Sequence, residues 1–97
     1  MEIETLARAK LKVRLIDSDS IVETVISYQN RDQDIYYCWN ITDANGNFIA
    51  GKCLPISKRL IPTNDVLSFV INNSKSSINN YKVGRRKLFE VIETHKL

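Results

Sequence analysis

Apolar and polar residues alternate along most of this chain, which is the period of a β-strand. The pattern is clearest at the start, where leucine and valine take one side of a segment and four cations take the other. Polar turn-forming residues separate one alternating segment from the next. Five segments show the pattern: RAKLKVRL (8–15), IVETVISY (21–28), DIYYCWNIT (34–42), the stretch from about Phe48 to Leu54, and DVLSFVI (65–71).

The C-terminal part of the chain is harder to assign. NNSKSSINN (72–80) predicts a long polar loop, and Pro55 and Pro62 bracket a short segment around SKRLI. RRKLFEVIETHKL (85–97) fits a helix with one apolar stripe, but it also fits a strand that places Phe89 and Val91 together. We favour the strand, because a final strand after the loop would return to the sheet.

The apolar sides of these segments define a predicted core. The period of two places alternate residues of one strand on the same face of a sheet. We expect ten side chains to be largely buried: Leu11, Val13, Val22, Ile26, Ile35, Tyr37, Trp39, Ile41, Phe69 and Ile71.

Six to seven short strands with regularly spaced turns predict an all-β fold in one domain, residues 1–97. The run VISYQNRDQDIYYCWNITDANGNFI resembles the corner between strands B and C, and the following hairpin, of immunoglobulin-like sandwiches. This resemblance implies an antiparallel immunoglobulin-like β-sandwich and no particular activity. The cysteine pair of antibody domains is absent, because Cys38 lies beside Trp39 rather than on the preceding strand. The alternative is a small β-barrel with a C-terminal helix.

Composition agrees with a globular domain of 97 residues, 43% hydrophobic and 26% charged. No apolar run approaches the roughly 20 residues of a membrane span. The start, MEIETLARAK, lacks the pattern of a secretory signal, so we expect a reducing, cytoplasmic location. Asn, Ile and Lys are abundant, and their AT-rich codons associate the chain with bacterial, phage or viral genomes.

Both cysteines flank the Asn45-Gly46 pair, a strong hairpin signal. A two-residue type I′ turn at that pair would place Cys38 opposite Cys53, on a wide hydrogen-bonded rung. A three-residue turn with a bulge would instead pair Cys38 near Lys52. A wide rung and a reducing compartment both disfavour a disulfide, and two cysteines are too few for a closed zinc site. We therefore expect two reduced thiols.

Catalytic chemistry has little support in the sequence. The sole histidine, His95, lies two residues from the C-terminus and lacks the partners of a general base. The acid pairs Asp17/Asp19 and Asp32/Asp34 read as turn formers, since no calcium-binding loop follows either. We expect no enzymatic activity, no metal and no cofactor.

The most distinctive polar feature is a basic ladder formed by Arg8, Lys10, Lys12 and Arg14. Its four cations share one face of one strand at intervals of about 6.6–6.8 Å. Such a ladder could bind an anionic partner such as nucleic acid, or it could protect an edge strand from pairing with other chains. The GRRK segment could extend this site for an anionic partner. The candidate residues are Arg8, Lys10, Lys12, Arg14, Arg85, Arg86 and Lys87.

Two functional hypotheses follow from these observations. The first is a non-catalytic protein-binding module that acts as an inhibitor, an adaptor or an assembly subunit, such as a small phage or viral accessory protein. The second is a nucleic-acid-binding β-barrel that uses the basic strand face. Affinity that falls steeply with salt would favour the second hypothesis.

Overall fold

An antiparallel five-stranded sheet with a helix on one face forms the protein, in a computed structural model that describes residues 4–31, 34–57 and 66–96. The order across the sheet is β4-β3-β2-β1-β7, and β5 and β6 form a separate two-stranded ribbon. The elements are β1 (Glu4–Leu15), β2 (Ser20–Arg31), β3 (Asp34–Thr42), β4 (Phe48–Ser57), α1 (Val66–Asn79), β5 (Lys82–Val83), β6 (Arg86–Lys87) and β7 (Phe89–Lys96).

The first four strands form a meander, and β7 returns to pair with β1 on the opposite side from β2. β1 is therefore an interior strand, and β4 and β7 are the edge strands of the sheet. All four predicted N-terminal strands are confirmed, and so is the C-terminal strand. Ser57 of the predicted segment around SKRLI ends β4, and the rest of that segment lies outside the described residues.

The core lies between α1 and the face of the sheet that we call the inner face. Eight of the ten predicted core residues are buried, whereas Val22 and Phe69 are half-buried. The predicted list of ten omits several further core residues. These are Ala9, Leu15, Ala50, Val70, Ile78 and Phe89.

The predictions of a strand at 65–71 and of a loop at 72–80 are both wrong, because α1 spans most of the two segments. Leu67, Val70, Ile71, Ser74 and Ile78 follow helical spacing and face the core. The stripe is hard to see in the sequence because its central position is a serine. β-Branched residues at the start and Asn and Ser later on also favour strand and loop locally. Tertiary packing overrides these preferences here.

An aromatic cluster connects the segment after α1 to the sheet, through Tyr81, Trp39 on β3 and Phe89 on β7. The Trp39 ring meets the rings of Tyr81 and Phe89 edge to face, with centroids 5.8 and 6.2 Å away. Tyr81 and Phe89 are 5.7 Å apart. Edge-to-face geometry of this kind adds to the stabilisation that area burial provides. Trp39, at 2% exposure, is therefore a core residue as predicted.

The fold is mostly β and antiparallel, as predicted. The immunoglobulin-like sandwich is not confirmed, since among the described residues α1 is the layer that packs against the inner face. The alternative barrel is not observed either, because the sheet is open. Its C-terminal helix is also wrong, since α1 precedes the ribbon and β7 follows it.

Candidate functional site: the outer face of the sheet

The basic ladder lies on the outer face of the sheet, the face opposite α1. Lys10 is opposite Val25 on β2 and His95 on β7, and Lys12 is opposite Glu23 and Glu93. β1 is hydrogen-bonded to a strand on each side, so the explanation that the ladder protects an edge strand is wrong.

Carboxylates on the neighbouring strands neutralise most of the ladder. Lys10 pairs with Glu23 at 3.1 Å and Lys12 with Glu93 at 3.5 Å. Arg14 pairs with both Asp19 and Glu90. Among the described residues, the exposed Arg8 is the ladder cation without an ion pair.

Arg14 has the most developed contacts of the four. Its guanidinium donates hydrogen bonds to Asp19 Oδ1 at 3.1 Å and to Glu90 Oε2 at 3.4 Å. The hydrogen bond to Glu90, followed by that to Asp19, raises the pKa of Arg14 above its ordinary value. Exposed pairs of this kind contribute little to folding stability, but they do cancel the local charge.

The remaining candidates lie on the ribbon and not on the ladder. Arg86 and Lys87 form β6, and Arg85 lies in the turn that joins it to β5. Arg86 forms an ion pair of 3.2 Å with Asp17, in the turn between β1 and β2. Asp17 and Asp19 of that turn therefore bind one cation from each group.

In the hairpin between β3 and β4, Cys38 is opposite Cys53 as predicted, but the turn that connects the two strands differs from the predicted one. Asp43 and Asn47 close a turn in which Gly46 has a φ of 83°. Among the described residues other than glycine, only Asp19 has positive φ, so the type I′ turn predicted at Asn45-Gly46 is wrong. This turn shifts the register by one residue.

A β-bulge in β4 reverses that shift. Thr42 is opposite Phe48, but the next residue of β3, Ile41, is opposite Ala50. The extra residue is Ile49, which restores the register for the rest of the hairpin. Cys38 therefore faces Cys53 as predicted, because the bulge compensates for the turn.

The two cysteines form a disulfide, so the prediction of reduced thiols is wrong. Their Cα atoms are 4.1 Å apart, which is close to the narrow rung of an antiparallel pair. The prediction of a wide rung assumed that hydrogen-bonded and non-hydrogen-bonded pairs alternate without interruption from the turn outward. The bulge interrupts that alternation.

A groove of about 410 Å³ lies beside the disulfide, and we call it the outer groove. Phe48 flanks it with 68% of its surface exposed. Lys52, the one lining residue that carries a charge, directs its ammonium group to the Tyr81 ring at 5.8 Å. The groove is therefore uncharged. Its lining residues are Val25, Ser27, Cys38, Trp39, Asn40, Phe48, Gly51, Lys52 and Cys53.

Local backbone geometry opens this groove. The paired positions of β2 and β3 run from Arg31–Asp34 to Ser27–Cys38. Beyond them, the buried Thr24 hydroxyl donates a hydrogen bond to the carbonyl oxygen of Asn40. At Gly51, an added Cβ would lie 3.0 Å from the Trp39 carbonyl oxygen and 3.3 Å from the Phe48 ring. A side chain at Gly51 would therefore disturb the groove wall.

A second cavity of about 350 Å³ lies where the ribbon approaches the β3–β4 hairpin. Apolar side chains line much of it, including Ile49, Leu88 and Phe89. Arg86 and Asp17, which form the ion pair described above, line it as well. That ion pair connects the ribbon to the body of the domain.

Other kinds of site find no support in the described part of the chain. His95 pairs with Glu93 at 3.0 Å, in an exposed position on β7. No group of three or more potential ligand side chains is placed to hold a metal ion within residues 4–31, 34–57 and 66–96. In those same ranges, no helix combines the length and the apolar character that crossing a membrane requires.

Comparisons with known proteins returned no matching family model, no matching curated protein and no matching solved structure. Any inference about function therefore depends on the outer groove, the ladder and the ribbon themselves. The sequence did not reveal the outer groove, because the bulge at Ile49 and the end of the β2–β3 pairing both depend on the folded sheet.

Proposed function

We propose that this protein is a non-catalytic module that binds another protein in its outer groove. The observation that carries this proposal is Phe48, a largely exposed aromatic side chain beside an uncharged concave surface. Buried interface centres are enriched in aromatic residues and depleted in charge. Exposed apolar side chains that cluster beside a groove are typical of interaction sites.

Val25 on β2 adds a second exposed apolar side chain to the groove. It lines the groove with Phe48 and is 43% exposed, and Glu23 separates it from Ile21, the next exposed apolar residue on this face of β2. A partner that inserts an apolar side chain between Phe48 and Val25 would remove both from water. Burial of such side chains contributes about 25 cal/mol per Å² of apolar surface.

The disulfide supports the same proposal. Cys38 and Cys53 line the groove and covalently join β3 to β4. A wall held in one conformation loses less entropy when a partner binds. This arrangement suits a module that presents a fixed surface, as an inhibitor, an adaptor or an assembly subunit would.

The charges on the outer face favour a protein partner over nucleic acid at this surface. Lys10, Lys12 and Arg14 all have carboxylate partners within the chain. Phosphate groups would have to approach Glu23, Glu90 and Glu93 as closely as the cations. Binding driven by counterion release requires unpaired cations, so the ladder is a weak candidate for it.

The disulfide also bears on location. Structural disulfides persist in oxidising compartments and are rare in the cytosol. The cytoplasmic location expected from the sequence stays a prediction, and the Cys38–Cys53 bond is an observation against it. We propose that the protein operates where this bond is stable.

A capture experiment with matched variants tests the function. Tagged wild-type protein, Phe48→Ser and Ile92→Ser are incubated with nuclease-treated host extract in about 0.5 M salt, where charge contacts are screened. Ile92 is a suitable control because it is also apolar, is 48% exposed and lies on β7, at the opposite edge of the sheet from β4. Melting temperatures of the three proteins establish that each is folded.

We expect one or more proteins to bind the wild type and Ile92→Ser but not Phe48→Ser. The purified partner should then bind Phe48→Ser at least tenfold more weakly, which corresponds to about 1.4 kcal/mol. Equal binding by Phe48→Ser, or the absence of any captured protein, would refute the proposal.

A further inference from the structure

The basic ribbon is a second interaction element, and we propose that it binds the phosphate backbone of duplex DNA. The ribbon comprises residues 82–87 and is distinct from the outer groove. It has four cations in six residues, and all four are exposed: Lys82, Arg85, Arg86 and Lys87. Among the described residues, Arg86 alone of these has a carboxylate partner, Asp17.

Among the described residues, the ribbon has more positive charge without a carboxylate partner than the ladder has. The four ladder cations lie among four carboxylates, whereas the four ribbon cations are balanced by one. The ribbon therefore has a local excess of three positive charges, and the net charge of the whole chain is +3. An anionic polymer would be attracted to the ribbon more strongly than to the ladder.

Stability does not explain this arrangement. Lys82 is directly opposite Lys87, and like charges at opposed positions of an antiparallel pair are destabilising. The ribbon is also short, with two residues in each strand and a turn at Gly84, whose φ is 64°. A sequence selected for ribbon stability alone would place an acidic residue at one of the two lysine positions.

The geometry favours nucleic acid over an acidic protein. A two-stranded β-ribbon fits the major groove of B-DNA, and arginine and lysine are the residues that contact phosphates there. Val83 is the ribbon's single apolar side chain, so the ribbon lacks the aromatic anchors that dominate protein interfaces. Binding to phosphates needs charge alone and is independent of base sequence.

The test uses a fluorescently labelled 20-base-pair duplex of arbitrary sequence, with anisotropy measured in about 20–200 mM salt. The ribbon variant is Lys82→Gln/Arg85→Gln/Lys87→Gln, which retains Arg86 and its ion pair with Asp17. The control is Arg8→Gln/Lys10→Gln/Lys12→Gln, which removes the same number of charges from the ladder. Melting temperatures show whether both variants are folded.

We expect the wild type to bind with an affinity that falls as salt rises, with a log–log slope near −3 for three to four phosphate contacts. The ribbon variant should lose at least tenfold in affinity at the lowest salt, and its slope should approach −1. The ladder variant should stay within about threefold of the wild type. Phe48→Ser should bind DNA normally, so this proposal and that for the outer groove can fail separately.

Three results would overturn the proposal. One is the absence of binding at the lowest salt. Another is an equal loss of affinity in the two triple variants, which would indicate a response to net charge alone. The third is tighter binding to polyglutamate than to DNA, which would identify an acidic protein as the partner of the ribbon.

Discussion

Trp39 on β3 donates a hydrogen bond from its indole Nε1 to the hydroxyl of Ser77 on α1, at 3.0 Å. The bond satisfies the one polar atom of a side chain that is otherwise packed against Tyr81 and Phe89. One turn earlier on α1, Ser74 is fully buried, and its hydroxyl has no hydrogen-bond partner. The Ser77 hydroxyl therefore stabilises the fold by accepting a hydrogen bond, whereas the buried Ser74 hydroxyl costs free energy because it is unsatisfied.

Replacing each of these serines with alanine should have different effects. Ser77→Ala should lower the free energy of unfolding by about 1–3 kcal/mol, because the buried indole N–H would lose its acceptor. Ser74→Ala should leave stability unchanged or increase it, since it removes a buried hydroxyl that is unsatisfied. Urea denaturation followed by Trp39 fluorescence measures both. A larger loss for Ser74→Ala than for Ser77→Ala would contradict this account.

The strands could be predicted from the sequence because each has one buried and one exposed face. β3 spans the predicted residues 34–42, and its alternation places Trp39 and Ile41 in the core. α1 could not be predicted in the same way, because Ser74 occupies the centre of its buried stripe. Whether a serine is buried depends on the surface that packs against it, and the local sequence pattern around Ser74 does not show that surface.

The candidate site was predicted only in part, for a similar reason. The ladder cations could be identified from residues 8–14 alone, but their ion pairs join them to β2 and β7. Glu93 is 81 positions from Lys12 in the chain, and the β1–β7 pairing brings them together. Neutralisation of the ladder is thus a consequence of topology.

Substitutions in the β3–β4 turn distinguish the observed turn from the predicted type I′ turn. Gly46 has positive φ and Asn45 does not, so Gly46→Ala should lower stability by about 1–2 kcal/mol and Asn45→Ala by much less. No atom lies within 4 Å of an added Cβ at Gly46, so backbone strain is the sole cost. Thermal unfolding of both variants measures this difference. Equal losses would support the type I′ turn instead.

Acid should weaken the same turn through Asp43. Its carboxylate accepts hydrogen bonds from the backbone N–H groups of Asn47 and Asn45, each at 2.9 Å. The bond from the Asn47 backbone is the main cause of the lowered pKa of Asp43. A lowered pKa in the folded state means that the unfolded state binds the proton first, so stability falls as pH drops below about 4.

Asp43→Asn tests this pH dependence, because it retains an acceptor oxygen but cannot ionise. Urea unfolding between pH 6 and pH 2.5 should show a smaller acid-induced loss of stability in the variant than in the wild type. Identical losses in the two proteins would show that Asp43 does not contribute to acid sensitivity.

The disulfide should stabilise the domain substantially. The sequence separation of its cysteines is 15, and closure of a loop of this size is worth about 3 kcal/mol in the chain-entropy model. Reduction with dithiothreitol, or Cys38→Ser/Cys53→Ser, should therefore lower the free energy of unfolding by about that amount.

Thiol titration provides the direct check on the bond itself. Protein isolated without reductant and then unfolded should have no reactive thiols, because both cysteines are bonded to each other. Two reactive thiols would restore the expectation of reduced cysteines and remove the covalent link from the groove wall.

Site-specific photocrosslinking is the most direct test of protein binding in the outer groove. A benzophenone amino acid at position 48 would lie beside the groove, and the same group at position 92 would lie on β7, at the opposite edge of the sheet from β4. After irradiation in nuclease-treated host extract, we predict that position 48 forms a crosslink to a discrete protein and that position 92 does not. Crosslinks from position 92 alone, or none from position 48, would contradict the account.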